Sequence, residues 1–391
     1  MKASLFQKLP NVIPTKEFKQ TDAWEQRKLG DALCESKVPG NKGDKAQKLS
    51  VRLWGKGVVE KKEQFLGSST TQYYYRRAGQ LIYGKLDFLH AAFGIIPEEL
   101  DGFESTTDSP AFDIDDTYDT QFILLSVLRR EVYEAQGKIA NGSRKAKRIN
   151  PDIFLQMYFF APTLEEQKRI SSLITLIDNL IAATERKKEL LQKKKQAYLQ
   201  LIFSQHLRFK GFTKPWRQTQ ISDIFHERRE RNPEGELLSI SVANGVQVST
   251  LSNNSMQDLS KYKVVVKNDL AYNSMRMWQG ASGASLYNGI VSPAYTVLVP
   301  QKDVNSQFYA YLFKTTKMLY IFRSFSQGMT SDTWNLKYPT LSKINVLKPS
   351  LIEQNQIAEL FKTLDELIKA NDKKLELLKK KKKAYLQKMF I

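Results

Sequence analysis

Residues 162–203 and 349–390 are one sequence written twice. At an offset of 187, Glu166, Gln167, Ile170, Asp178, Leu180, Ile181, Lys187, Leu190, Leu191, Lys193 to Lys195 and Ala197 to Gln200 recur as Glu353, Gln354, Ile357, Asp365, Leu367, Ile368, Lys374, Leu377, Leu378, Lys380 to Lys382 and Ala384 to Gln387. A long fixed period marks a duplicated unit. One copy is central and the other lies near the end, so the order along the chain is region, repeat, region, repeat.

Each repeat reads as a long helix. In the first, Ile170, Leu173, Ile177, Leu180, Thr184, Lys187, Leu191, Lys194, Tyr198 and Leu201 alternate spacings of three and four, the pattern of a helix with a narrow apolar seam. The second repeats it with Ile357, Leu360, Leu364, Leu367, Asn371, Lys374, Leu378, Lys381 and Tyr385. Pro162 and Pro349 introduce segments that then contain neither Gly nor Pro, and about forty residues at 1.5 Å rise give a rod of roughly 60 Å. Two such seams are expected to bury each other as an antiparallel coiled coil, with polar Thr184 and Asn371 near its centre. The lysine runs Lys193 to Lys195 and Lys379 to Lys383 read either as solvated helix faces or as phosphate or partner contacts.

The intervening regions repeat more faintly. AWEQRKLGDAL (Trp24, Asp31) matches PWRQTQISDIF (Trp216, Asp223), QLIYG matches DLAYN, and DGFES matches NGIVS. KYKVVVKNDLAY, GASLY and GIVSPAYTVLVP are β-branched and aromatic runs bounded by turn residues, whereas NSQFYAYLFKTTKMLYIFRSF has helical spacing. The fold class expected is α/β: two α/β modules held apart by two long antiparallel helices in a pseudo-twofold duplication. The boundaries expected are 1–161 and 205–348 for the modules, and 162–204 and 349–391 for the helices.

Charge points to a polyanionic partner. The chain has 60 basic and 41 acidic residues, net +19, and residues 204–349 hold 18 basic against 9 acidic. Three clusters have a composition suited to nucleic acid: Arg144, Lys145, Lys147 and Arg148 after a turn glycine; Asn273, Arg276, Trp278 and Gln279 on a glycine-punctuated loop; and Arg76 and Arg77 after Tyr73 to Tyr75. Arg and Lys pair with guanine edges or phosphates, and Asn and Gln with adenine. Each cluster also reads as an ordinary polar turn or an amphipathic strand.

Catalytic chemistry is not expected. Cys34 is the only cysteine and His90, His206 and His226 the only histidines, too few for a zinc cluster. No GxxxxGK[ST] loop occurs, and Asn150-Pro151-Asp152-Ile153 and Asn232-Pro233-Glu234-Gly235 do not fit the Asp/Asn-Pro-Pro-aromatic tetrapeptide of an adenine methyltransferase. No cofactor or metal is expected. The N-terminal stretch MKASLFQKLPNVIPTKEF lacks an apolar core segment, so a cytoplasmic protein without membrane contact is expected.

The pair PTLEEQKRISSLITLIDNLIAATERKKELLQKKKQAYLQ and PSLIEQNQIAELFKTLDELIKANDKKLELLKKKKKAYLQ resembles the central and C-terminal helices of the specificity subunits of type I restriction-modification systems. The shared features are the P-x-x-x-E-Q start, the mid-helix Asp178 and Asp365, and the lysines before AYLQ. The resemblance implies two target recognition domains, each reading half of a bipartite DNA sequence, and helices that set the spacing and dock two methyltransferase subunits. Restriction (motor-nuclease) subunits are further implied candidates. It also implies that Trp24 and Trp216 open the two domains and that GSRK and GMTSD, with Thr330 and Ser331, are turns near DNA. The helix residues taken for pairing or partner contact are Ile170, Ile177, Leu180, Thr184, Leu191, Tyr198, Ile357, Leu364, Leu367, Asn371, Leu378 and Tyr385. A basic coiled-coil scaffold binding nucleic acid without sequence preference is the alternative, but it gives no reason for two divergent modules.

Overall fold

The computed structural model describes residues 24–62, 68–139, 148–249, 258–331 and 333–390. The chain divides into two compact units, residues 1–180 with 378–391, and residues 181–377. Both long helices are present, as Leu164–Phe203 and Leu351–Met389, and each contributes to both units.

In the first unit a four-stranded sheet runs in the order Leu33–Ser36, Ala111–Ile114, Leu81–Tyr83, Phe93–Ile95. Glu25–Lys28 pairs with Tyr158–Ala161 beside it. The second unit repeats this with Phe225–Glu227, Tyr295–Pro300, Leu270–Asn273, Ser282–Ala284, and with Arg217–Gln220 against Asn345–Lys348. The strand pairings are antiparallel, so neighbouring strands need no βαβ crossover. In the first unit Tyr83, Phe88, Phe93, Phe112, Phe122 and Phe154 form the aromatic centre of the core. Tyr272, Phe308, Tyr309, Phe313 and Phe322 do so in the second.

The repeated Glu-Gln pair ties each helix to its module. Gln354 accepts from the Asn305 backbone N–H (2.9 Å) and donates to the Pro349 carbonyl (2.9 Å). Gln167 does the same with Asp119 (3.0 Å) and Pro162 (2.9 Å). Asn305 and Asp119 are themselves N-caps, accepting from Phe308 and Phe122, so one glutamine fixes a strand exit, a helix start and a cap together. Glu353, 1% exposed, accepts from Trp216 Nε1 (3.1 Å) and from Arg208 Nε (2.9 Å) and Nη2 (2.8 Å). Glu166 receives a longer bond from Trp24 (3.4 Å) and, among the described residues, no arginine fork. The arginine fork is the main asymmetry between the two joints.

Each module is closed by the last turn of the helix that starts after the other module. In the first unit Phe390 stacks on Phe122 (5.4 Å between centroids) and meets Trp24 edge-on (5.6 Å). In the second, Phe203 packs on Phe308 (5.4 Å) and Trp216 (6.3 Å). Phe203 and Phe390 are 187 residues apart, so the closure is part of the duplication.

The helix seam differs in phase from the sequence expectation. Ile170, Ile177, Thr184, Ile357, Leu364 and Asn371 are buried and Leu191, Tyr198, Leu378 and Tyr385 half-buried. The intermediate positions fall one residue later than expected: Ile174 rather than Leu173 is fully buried, Phe361 rather than Leu360, and Leu375 rather than Lys374. Leu367 is 43% exposed while Ile368 is half-buried, which corrects its assignment to the seam. Leu180 and Ile181 are both half-buried. The register of spacings four then three, rather than three then four, points the second residue of each pair inward.

That shift also separates the lysines. Lys195, Lys382 and Lys188 occupy the shifted positions and pair across the helices with Asp365, Asp178 and Asp372, the last two at 2.7 and 2.6 Å. Lys195–Asp365 lies in the second unit and Lys382–Asp178 in the first; both members differ by the repeat offset. The mid-helix aspartates therefore have a partner, while Lys187, Lys194 and Lys381 are exposed.

Candidate nucleic-acid interface

In the second unit two loops converge. After Leu270–Asn273 the chain makes a short 3-10 helix, Met277–Gln279, ended by Gly280 at φ +89°. The Asn273 side chain accepts from the Met275 N–H (3.0 Å), which starts this turn, and leaves Arg276 and Gln279 exposed. The loop carrying Thr330 and Ser331 closes through paired backbone bonds between Gln327 and Asn335 (3.1 and 2.8 Å) and is tied to the first loop by the Leu336 N–H donating to the Ser274 carbonyl (2.8 Å). Trp278 meets Trp334 edge-on at 5.3 Å, and the Arg323 guanidinium lies 5.3 Å over Trp334.

Arg276, Trp278, Gln279, Thr330 and Ser331 are thus on neighbouring loops. Arg276 makes no ion pair among the described residues, so its five donors are available to a ligand. Arg323 and Trp334 belong to the same surface and were not singled out from sequence. The signal was present in Thr333-Trp334-Asn335 directly after the GMTSD turn, but the helix carrying Arg323 reads as core-facing.

The first unit builds the same frame from different residues. Leu81–Tyr83 leads into the 3-10 helix Phe88–His90, ended by Ala91 at φ +49°. The Lys85 carbonyl accepts from Ile149 as Ser274 does from Leu336. Tyr83 donates to the Ile149 carbonyl (2.9 Å), and burial pushes its phenol well above the ordinary tyrosine range. Asp87 and His90 stand where the second unit has Arg276 and Gln279, and approach each other at 3.5 Å.

The remaining sequence candidates divide. Arg76 is corrected: it is 1% exposed and donates to the Ser36 carbonyl (2.7 Å) and to Ser105 Oγ (2.8 Å), with Tyr74 against its guanidinium. Desolvation lowers it to about 10, still charged at neutral pH. It is a buried brace between strands, set just past the end of Gln72–Tyr75 where the Ser36 carbonyl and Ser105 Oγ receive its donors. Arg77 is exposed, and Arg148 is exposed beside Asp108 at 3.6 Å. Arg144, Lys145 and Lys147 lie outside the described residues. Among the described residues no three His, Cys, Asp or Glu side chains gather as a metal site, and no helix is long and apolar enough to cross a membrane.

Residues 213–380 match the sequence profile of the type I restriction modification DNA specificity domain. The chain is 35% identical over 83 residues to the type I restriction enzyme MjaIX specificity subunit of Methanocaldococcus jannaschii, a match spanning 21% of this chain and 19% of that protein. Its fold is shared with the type I restriction-modification S subunit of M. genitalium (TM-score 0.60, 13% identity, 96% of this chain and 98% of that one). The HsdS subunit of Thermoanaerobacter tengcongensis shares it too (TM-score 0.51, 16% identity, 96% and 98%). Residues 213–380 thus carry the sequence pattern of the type I restriction modification DNA specificity domain, and the chain as a whole has the fold of the two S subunits.

Proposed function

We propose that this chain reads a bipartite DNA target for a type I restriction-modification complex, residues 1–161 and 205–348 each recognising one half. The observation that carries this reading is the convergence of Arg276, Gln279, Thr330 and Ser331 beside two packed indoles, on a frame that the first unit repeats with unlike residues. A common frame with divergent loop tips suits two half-sites of different sequence, since backbone contacts position and side chains at base edges specify.

In this reading the chain is not itself catalytic. Its helices dock two methyltransferase subunits and, where present, motor-nuclease subunits, and set the distance between half-sites. Candidate DNA contacts are Arg77, Arg144, Lys145, Lys147, Arg148, Asn273, Arg276, Trp278, Gln279, Thr330 and Ser331. Purification of the full chain from its host tests the proposal: co-purifying methyltransferase chains and adenines methylated in a two-part motif are expected. A chain that purifies alone and binds all duplexes equally would instead be a scaffold without sequence preference.

A further inference from the structure

We propose that the turn Arg52–Lys56 is a DNA-contacting element of the first module, with the Trp54 indole as a specificity-determining group. The inference rests on the DNA-reading function above and adds a residue to it. Trp54 is 57% exposed, and it sits at φ +61° with Gly55 at φ +62°. Two successive left-handed residues are a conformation that Asn-Gly or Gly-Gly adopts readily. A tryptophan in the first of those places is an outlier for a bulky residue, and strain of this kind collects at functional sites.

The turn is held against the module. The Trp54 N–H donates to the His90 carbonyl (2.8 Å), the Gly55 N–H to the Ala91 carbonyl (2.8 Å), and the Arg52 N–H to the Gly57 carbonyl (2.9 Å). A Cβ on Gly55 would meet Leu128 at 2.8 Å, so the turn seats closely. The indole itself gains little burial from this seat.

The second unit shows why the location matters. Its loop places Trp278 next to Gln279; the first unit has Leu89 and His90 at those positions, 189 residues earlier, so the indole is missing from the loop. Trp54 supplies one from a separate turn, edge-on to His90 at 5.6 Å. Each module thus has an indole at this 3-10 helix, Trp278 within it in the second unit and Trp54 packed on its His90 in the first. Arg52 and Lys56 flank it, both exposed and without an ion pair among the described residues. An apolar ring between two free cations fits a groove of duplex DNA, the ring at the sugar and base edge and the cations at phosphates.

Selection from a random-sequence duplex pool tests this, using the full chain in the complex with which it co-purifies. Wild type should enrich a two-part motif. Trp54→Ala should lose preference at one or two adjacent positions of one part, weakening that site about tenfold or more, while Trp54→Phe keeps most of it and the other part is unchanged. Arg52→Ala with Lys56→Ala should weaken all sequences alike and flatten the slope of log K against log salt by about 2. Trp54→Asn should bind as poorly as Trp54→Ala yet melt about 2–4 °C higher, because Asn tolerates the left-handed turn. An unchanged motif and slope, with Arg276→Ala still altering one part, would sink this proposal and leave the function standing. A lower melting temperature for Trp54→Asn would make the indole structural and overturn it too. A wild-type complex that enriches no motif would remove the specificity reading itself.

Discussion

Glu353 is the joint on which the second unit depends most, and its replacement separates the two copies of the repeat. Glu353 is 1% exposed and its carboxylate holds Trp216 Nε1 and the Nε and Nη2 donors of Arg208, whose side chain is 16% exposed. The same contact drives the Arg208 guanidinium above its ordinary value. Glu353→Ala leaves the Trp216 indole N–H without its partner and the half-buried Arg208 guanidinium with only the Lys214 carbonyl (2.8 Å); breaking a buried pair from one side costs about 3–5 kcal/mol, an upper bound for this part-exposed arginine. For a unit of this size each kcal/mol lowers the melting temperature by about 2–4 °C, so a fall of roughly 6–20 °C is expected. Glu166→Ala removes one long bond from a half-buried indole, about 0.5–1.5 kcal/mol. Thermal unfolding by circular dichroism, with hydrogen exchange locating the loss in residues 181–377, reads both. Adding Arg208→Met to Glu353→Ala should restore part of the loss, since the orphaned charge goes with it. Equal shifts for the two glutamates, or no recovery in the double variant, would refute the reasoning.

Arg276→Ala is expected to relax base preference at one or two positions of one half-site, about 1–3 kcal/mol of discrimination, with the other half untouched; methylation mapping checks it. A fragment of residues 1–205 loses Phe390 from Trp24 and Phe122, and a second copy's Phe203 can fill the gap, so mass measurement should find a homodimer and binding should favour an inverted repeat. Lys195→Met should cost less than about 1 kcal/mol in urea unfolding, because its pair with Asp365 is part-exposed. Asp303 has its carboxyl lowered by its bond to Lys348. Its contribution is therefore complete above about pH 4, the unfolded value, and lost as pH falls through the lower folded one. The stability gap between wild type and Asp303→Asn should close on acidification, measured by urea titrations from neutral pH downward.

The duplication, the helices and the mixed modules were legible because period and turn chemistry are local. The seam phase was not. Leu173 and Ile174, Leu180 and Ile181, Lys187 and Lys188, and Leu367 and Ile368 are neighbours of like kind, so either member satisfies a three-four alternation. Only the packed partners choose between them. Arg76 misled because the groups that bury it, Ser36, Ser105 and Ser109, lie 29 to 40 residues away along the chain. The role of the Glu-Gln pair was hidden for the same reason, its tryptophans standing 142 and 137 residues off. Trp54 carries its signal in a backbone angle rather than in composition.

The closure by Phe390 has a consequence for how the protein is made. Ribosomes extend a chain by about 5–20 residues per second, so the stretch between Phe203 and Phe390 takes on the order of 10–40 s to emerge. Throughout that interval the first module has its strands and aromatic centre but lacks the ring that covers Trp24 and Phe122. The nascent chain therefore presents an apolar socket shaped for the end of its own second helix, and the near-identical end of the first helix is already available. Synthesis order alone thus sets up a competition between the local, premature partner and the correct one, and crowded polysomes add the first helices of neighbouring chains as further competitors.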